Sequence, residues 1–210
     1  MIKDVSAKIL EDFDTKDKAR EKGLTLSREI VRTCRSIMYN IHNKKFDKAG
    51  DMLGEAHKSL EEINSQLGIH PDIYYGGFVE HAQQEYVECA VVYHLLYSKG
   101  DINKIPSPDD LNVGYAAYLN GMADAGGELR RHILDLIRQD KPEKGETFLE
   151  IMETMFSNLM MFDYPDAITH NLRPKTDRLR SIVERTRGDL TNAIRQQKLE
   201  ESMKKFESKL

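Results

Sequence analysis

Four acidic residues in two helical stretches have the spacing of a divalent-cation site. Glu85 and Glu88 lie three residues apart, and Asp124 and Glu128 lie four residues apart. Because a helix turns by about 100° per residue, each pair shares one helix face. The face of the first pair also carries the apolar residues Cys89, Val92, Leu95 and Leu96. Carboxylates in an apolar stripe are costly unless a cation or hydrogen bonds compensate them, so the placement needs a chemical reason.

Acids on two facing helices can support phosphodiester chemistry. Mg²⁺ and Mn²⁺ prefer oxygen ligands, and Mg²⁺ takes only a few carboxylates while keeping several waters. Three acids therefore leave coordination positions for a water and a phosphate oxygen. Such a cation lowers the pKa of its water and offsets charge on the reacting phosphate. Without the cation the acids repel one another, so at least one is expected to take up a proton more readily than free Glu.

The ordinary alternative is a solvated acidic face. The chain has 35 acidic residues, so a Glu-x-x-Glu spacing by itself favours that interpretation. Glu128 can also pair with Arg131, three residues further along the helix. Gly121, Gly126 and Gly127 disfavour a helix by roughly 1 kcal/mol each, which predicts close approach of another helix, with or without chemistry.

The whole chain is predicted to be helical. Prolines fall at segment borders, and between them apolar residues follow a period of 3.6. The predicted helical segments are about 3–43, 46–67, 72–98, 108–139, 143–162 and 175–206. Ser107 is predicted to be an N-cap. Since no segment alternates with period two, we expect an all-α protein. It is predicted to be one domain, 1–210, a bundle of about six to seven helices with a charged helical tail at 196–210.

Composition excludes a membrane protein and favours a cytoplasmic one. No apolar run approaches the roughly 20 residues needed to cross a bilayer, so no membrane partner is expected. The first 20 residues are interrupted by acids, unlike a secretory signal, and an intracellular, cytoplasmic location follows as an expectation. Cys34 and Cys89 lie in apolar helical contexts and are predicted to be reduced core residues rather than a disulfide.

Two basic groups are candidates for contact with nucleic acid. Arg28, Arg32 and Arg35 form a stripe opposite the apolar face of the first helix. The second group, around the start of the last helix, includes Arg173, Lys175 and Arg178. A net charge of -4 opposes a basic coat but permits local patches that bind phosphates. For each group, a solvated face with salt bridges is the alternative.

Several aromatic side chains are further candidates near the acids. His81 lies one turn before Glu85 and could orient water, although a lone histidine is more often structural. Four tyrosines could stack on bases, but aromatic residues at helical spacing more often belong to the core. These tyrosines are Tyr74, Tyr75, Tyr86 and Tyr93.

Four runs of the sequence, in order, resemble the translin family. They are Leu26–Ile30, Gln84–Cys89, Tyr118–Leu129 and Phe162–Asp166. The likeness covers roughly residues 20–195 and is closest to the translin-associated factor X branch and to prokaryotic-type members. The run Tyr118–Leu129 is its most specific part.

The resemblance implies a helical bundle that assembles into octameric or related shells around RNA or single-stranded DNA. In the factor X branch two glutamates and an aspartate bind Mg²⁺ and cleave RNA, and these acids fall on Glu85, Glu88 and Asp124. Glu128 matches a glutamate of both branches, so it is expected to be the more structural member of the metal set. The chain lacks a long insertion between the third and fourth helices, and it is expected to form the shell alone.

The resulting prediction is a Mg²⁺- or Mn²⁺-dependent endoribonuclease that cleaves single-stranded or flexible RNA inside a homo-oligomeric barrel. One alternative is a noncatalytic shell that only binds single-stranded RNA or DNA. Another is a carboxylate-bridged metal bundle of the ferritin type, which expects Glu-x-x-His pairs on two helices. The sequence contains no such pair.

Overall fold

Helices make up nearly all of residues 1–208, the part of the chain that the computed structural model describes. They are α1 (Ile2–His42), α2 (Phe46–Leu67), α3 (Pro71–Tyr74), α4 (Phe78–Tyr97), α5 (Pro108–Leu111), α6 (Tyr115–Arg138), α7 (Gly145–Leu159), α8 (Asp166–Thr169) and α9 (Leu172–Glu207). Short 3-10 turns occur at Ile102–Lys104 and Pro142–Lys144. Since α3, α5 and α8 are single turns, six longer helices form the bundle, and no strand occurs in the described part. The predicted all-α class is confirmed.

The bundle is built on α4 and α6, which pack against each other in its centre. Helices α1 and α2 cover one side of α4, and α7 and α9 cover α6. The predicted apolar stripe of α1 is buried, with Ile30 and Ile37 fully inaccessible to solvent. Burying such a side chain contributes about 1.5–3 kcal/mol. This packing fixes the faces of α4 and α6 that carry the acids.

Two glycines allow the central helices to approach closely. A Cβ on Gly121 would lie 2.7 Å from the backbone oxygen of Gln84 in α4. A Cβ on Gly126 would overlap Leu179 of α9. The predicted close approach is therefore confirmed at both positions. It is wrong at Gly127, where a Cβ would meet no described atom within 4 Å.

Several predicted helix boundaries were wrong because the backbone turns locally. Helix α4 starts at Phe78 rather than at residue 72, since Gly77 adopts a φ of +89°. The segment predicted at 108–139 is divided, because Asn112 has a φ of 53° after the single turn α5. Helix α9 starts before Pro174 rather than after it, and a proline in the first turn loses no intrahelical hydrogen bond.

The predicted N-cap and the two predicted core cysteines are confirmed. Ser107 accepts a hydrogen bond from the backbone N–H of Asp110 and forms a capping box with it. Cys34 and Cys89 are free and buried, and the Cys89 thiol lies 3.3 Å from the carbonyl oxygen of Cys34. In the described residues no helix is both long enough and apolar enough to cross a membrane. The charged tail is helical to Glu207, and residues 209 and 210 lie outside the described part.

Candidate metal and nucleic-acid site

The four acids of α4 and α6 meet in one region, which we call the acid cluster. Its members are Glu85, Glu88, Asp124 and Glu128. Burial is the main reason that the pKa of Glu88 is raised to about 8, and the next causes are the negative charges of the other three acids. The expectation that one acid would hold its proton more strongly than free Glu is therefore met at Glu88. Close approach of α4 and α6 at Gly121 produces this crowding.

The aspartate of the cluster has two polar partners. Lys175 of α9 and the side-chain amide of Gln84 each donate a hydrogen bond to Oδ2 of Asp124, both at 2.7 Å. The Lys175 and Asp124 side chains are 21% and 22% exposed, so this ion pair is partly shielded from water. Lys175 was predicted to lie on a nucleic-acid surface, but it contacts the acid cluster directly.

The outer glutamate of the cluster is held by α1. His42 Nε2 donates to Glu128 Oε2 at 2.5 Å, and the predicted partner Arg131 lies 3.9 Å from the same oxygen. The hydrogen bond from His42 is the largest cause of the lowered pKa of Glu128 and outweighs the effect of burial. Glu128 is thus held by α1, with its ionised form favoured.

The two α4 glutamates differ from the α6 acids because they lack such partners. Among residues 1–208, no hydrogen-bond donor or basic group pairs with the carboxylate of Glu85 or of Glu88. Their oxygens, with those of Asp124, form the donor set that Mg²⁺ and Mn²⁺ prefer. As the side chains stand, however, no three His, Cys, Asp or Glu groups of the described part could hold a metal ion together. The carboxylate oxygens are suitable ligands for Mg²⁺ or Mn²⁺, but Asp124 forms an ion pair with Lys175 in this structure.

The arginine stripe of α1 lines a groove between α1 and the start of α4. Arg28, Arg32 and Arg35 are exposed and share this groove with Phe78 and His81 of α4. Within the described chain, no acidic side chain lies within 4 Å of their guanidinium groups. His81 is exposed and precedes Glu85 by one turn. The groove therefore presents unpaired positive charge, and its nearest approach to the acid cluster along α4 is the single turn between His81 and Glu85.

The basic residues of α9 differ in their contacts within the chain. Lys175 faces the acid cluster, whereas Arg173 forms a 3.7 Å ion pair with Asp163 in which both side chains are more than 80% exposed. Such exposed pairs contribute little to stability. Arg178 is exposed, and no acidic partner lies near it in residues 1–208. The α9 group is therefore weaker than the α1 stripe as a continuous phosphate-binding surface.

Three of the four candidate tyrosines have structural contacts. Tyr74 accepts a hydrogen bond from Gln83 at 2.9 Å, and Tyr86 is 4% exposed beside His57. Tyr93 packs against Phe46 and Tyr97, whereas Tyr75 is largely exposed.

Two residues of the site were not identified from sequence. His42 lies 86 positions before Glu128, at the end of α1, where no periodic pattern connects them. Gln84 lies in a run that resembles a family motif, but its polar role at Asp124 depends on how α6 packs.

Several known proteins are similar to this chain in sequence or in structure. An uncharacterised protein of Methanocaldococcus jannaschii is 36% identical over 194 residues, which cover 91% of this chain and 84% of that protein. AfC3PO, from Archaeoglobus, was solved in complex with duplex RNA. Its chain is 32% identical, with a TM-score of 0.80 and coverage of 92% of this chain and 96% of its own. No family model matches the chain.

A second C3PO structure supports the fold alone. Apo-NeC3PO is 19% identical and has a TM-score of 0.79 over 89% of this chain and 96% of its own. The six long helices thus occur in the same arrangement in proteins of quite different sequence. With identity above 30% to AfC3PO over nearly the full length of both chains, the chain belongs to the translin-type C3PO family.

Proposed function

We propose that this chain is a divalent-metal-dependent endoribonuclease, of the catalytic factor X type, that works inside a homo-oligomeric shell. The observation that carries the proposal is Glu88, a largely buried carboxylate crowded by Glu85 and Asp124. A buried carboxylate without a partner is unfavourable, so the arrangement favours a cation as its missing companion.

The acid cluster supplies ligands for Mg²⁺ or Mn²⁺. Glu85, Glu88 and Asp124 would hold the ion, and Glu128, fixed by His42, would complete the set or orient it. Such an ion supplies activation of water and neutralises charge that develops on the phosphate. Asp124 is available only when Lys175 releases it, so binding of an ion involves exchange of one positive charge for another.

RNA is the proposed substrate. AfC3PO, a relative in sequence, was solved with duplex RNA, which supports RNA as the ligand of this chain also. The arginines of α1 line the groove beside His81, so they can contact phosphates while the scissile group reaches the acids. Because the net charge is -4, a closed shell of several copies, eight if it follows the family it resembles, would gather these cations inside and leave acids outside. Single-stranded DNA is a second candidate ligand, and the cytoplasm is the proposed location.

A noncatalytic RNA-binding shell is the competing function. It is favoured by one observation, that Asp124 and Glu128 already have cationic partners in the metal-free chain. It is opposed by Glu85 and Glu88, which have no such partners in the described residues and for which mere binding provides no role.

The deciding experiment combines cleavage and binding of labelled single-stranded RNA, with and without Mg²⁺ or Mn²⁺. The wild type is compared with the triple Glu85→Ala, Glu88→Ala, Asp124→Ala variant and with Glu150→Ala, an exposed acid of α7. Metal-dependent cleavage by the wild type and the control, with binding but no cleavage by the triple variant, supports the proposal. Cleavage by the triple variant overturns the site, and binding without cleavage by the wild type favours the noncatalytic shell.

The ends of the products test the mechanism separately. If water attacks the phosphorus, the P–O3′ bond breaks and the products carry 5′-phosphate and 3′-hydroxyl ends. Attack by the RNA 2′-hydroxyl would instead leave 2′,3′-cyclic phosphates, a result that contradicts metal-assisted hydrolysis.

A further inference from the structure

A separate pocket of about 520 Å³ lies at one end of the bundle, where α1, α4 and α6 end and where α2 and α7 begin. Its apolar floor includes Ile41, Phe46, Leu96, Leu136 and Phe148. Its rim carries Lys44, Lys99, Lys141 and Lys144, and we call it the lysine pocket. The volume lies within the roughly 300–1,000 Å³ of small-molecule sites.

The rim of the lysine pocket has an excess of positive charge. All four lysines are exposed, and within residues 1–208 none has an acidic group within 4 Å. Asp135 also lines the pocket, but it is paired with Arg138 at 3.0 Å. Like charges gathered around an apolar cavity repel one another and create a positive potential that attracts an anion.

Two of the four lysines have a backbone conformation that long side chains rarely adopt. Lys44 and Lys99 have φ angles of 59° and 58°, in the left-handed region. Glycine or asparagine is usual where a helix ends in this way, because a longer side chain is strained there. Attraction to the last carbonyls of α1 and α4 could explain these two lysines alone.

One lysine does not fit that local explanation. Lys141 follows the end of α6 and donates its backbone N–H to the carbonyl of Leu136, so it resembles Lys44 and Lys99, but Lys144 is the N-cap residue of α7. A helix N-terminus carries partial positive charge, so cations there are unfavourable and anions are favourable. Lysines from helix ends of both polarities therefore converge on one cavity, which indicates a common anionic ligand rather than four separate caps.

The floor of the lysine pocket indicates what else the ligand contains. The His132 ring packs edge-on to Phe148, with ring centroids 4.6 Å apart, and lines the same cavity. Burial is the main cause of its lowered pKa, which leaves the imidazole neutral at pH 7 and able to donate and to accept one hydrogen bond. An apolar, partly aromatic floor beside a neutral polar ring suits a flat heterocycle better than a bare phosphate ion.

We propose that the lysine pocket binds a nucleotide, with its phosphate on the lysines and its base on the apolar floor. The same chemistry is present in a free nucleotide and in the 5′-phosphorylated end of an RNA strand. His42 lines the pocket and also holds Glu128, so an occupied pocket lies next to the acid cluster without belonging to it.

Calorimetric titration of the full chain with AMP, in EDTA, tests this proposal without any dependence on metal or cleavage. The test variant is Lys44→Asn, Lys99→Asn, because asparagine tolerates both backbone positions and removes two charges. Its matched control is Lys8→Asn, Lys18→Asn, two exposed lysines of α1 far along the chain from the pocket. We expect AMP affinity at least tenfold weaker in the test variant, unchanged affinity in the control, and a melting temperature of the test variant equal to or above that of the wild type.

Further titrations distinguish a free nucleotide from the 5′ end of an RNA strand as the ligand. Inorganic phosphate and adenosine, titrated separately, are expected to bind more weakly than AMP. If 5′-phosphorylated RNA abolishes the AMP signal and the same RNA with a 5′-hydroxyl does not, the pocket is assigned to an RNA end. If AMP still binds in the presence of either RNA, the pocket is assigned to a free nucleotide. Absence of AMP binding at millimolar concentration, or equal affinity in the test and control variants, overturns the proposal.

Discussion

The acid cluster and the lysine pocket share His42 as a common wall but hold their charges in opposite ways. In the cluster, Glu88 is buried and its pKa is raised to about 8, so the charged form is unfavourable within the chain itself. In the pocket, the lysines remain hydrated and no acid of residues 1–208 pairs with them. The acid cluster therefore contains a carboxylate whose charge the described chain does not compensate, whereas the lysine pocket gathers unpaired positive charge on hydrated side chains.

Removing the charge of Glu88 should have a larger effect on cleavage than any other change in the acid cluster or the lysine pocket. Glu88→Gln keeps the shape of the side chain but removes the negative charge, so metal-dependent cleavage should fall at least about 100-fold while RNA affinity stays within about twofold. Single-turnover cleavage and filter binding would measure the two quantities. Glu150→Gln is the control, and near-normal cleavage by Glu88→Gln would remove Glu88 from the site.

The second effect concerns the arginine stripe, whose charges, like those of the pocket, are exposed. Replacing Arg28, Arg32 and Arg35 together by Gln should weaken RNA binding by about tenfold or more at low salt and reduce the salt slope by up to about three units. The oligomeric state should not change. Lys3, Lys8 and Lys18 changed to Gln form a charge-matched control, and an unchanged slope in the arginine variant would exclude this stripe from the RNA surface.

Sequence patterns succeeded where residues share a single helix face. The spacing of Glu85 and Glu88, and the buried stripe around Ile30, follow from helical geometry alone. Gly121 predicted a close helix contact because glycine destabilises the middle of a helix unless a neighbour leaves no room for a side chain. The backbone oxygen of Gln84 is that neighbour. The same argument failed at Gly127, where nothing in the described chain approaches. Local periodicity thus predicted the fold class and the pairing of acids within each helix, whereas the grouping of Glu85 and Glu88 with Asp124 was expected from the family resemblance.

Sequence patterns failed where several elements converge. Lys175 was assigned to a phosphate-binding group, but packing of Leu179 against Gly126 fixes the rotation of α9 and directs Lys175 to Asp124. The lysine pocket was not predicted, because its residues come from the ends of separate helices, which have no common period. Contacts of this kind depend on tertiary packing that no single stretch of sequence encodes.

Lys175 places a positive charge in contact with the acid cluster, where it competes with a metal ion for Asp124. Lys175→Met retains length but removes the ammonium group that lies 2.7 Å from Asp124 Oδ2. A metal ion would then bind without displacing it, so Mg²⁺ affinity should rise about tenfold because a like charge nearby opposes the ion. Calorimetry with Mg²⁺ and no RNA measures this, with Lys8→Met as control. If Mg²⁺ affinity is unchanged and RNA binding is weaker, Lys175 contacts RNA and does not compete with the metal ion.

The acid cluster, unlike the lysine pocket, should also make the stability of the chain depend modestly on pH. The ordinary pKa of Glu is 4.5, and that of Glu88 in the folded, metal-free chain is about 8. Between these values the folded state keeps a proton that the unfolded state releases, so the free energy of unfolding falls as pH rises from about 4.5 to 8. Below that window Glu88 adds no such penalty, and above it the penalty is constant.

Glu88→Gln should therefore become more stable relative to the wild type as pH rises. A full shift would amount to about 1.4 kcal/mol per pKa unit, and local relaxation reduces it, so we expect a gain of about 1–2 kcal/mol at pH 8 over that at pH 5. For a chain of this size, each kcal/mol of added stability raises the melting temperature by roughly 2–4 °C. Thermal unfolding in EDTA at pH 5, 6.5 and 8, with Glu150→Gln as control, measures it. A stability difference that stays constant from pH 5 to 8 would mean that Glu88 is hydrated in solution, and the contrast with the exposed lysines would disappear.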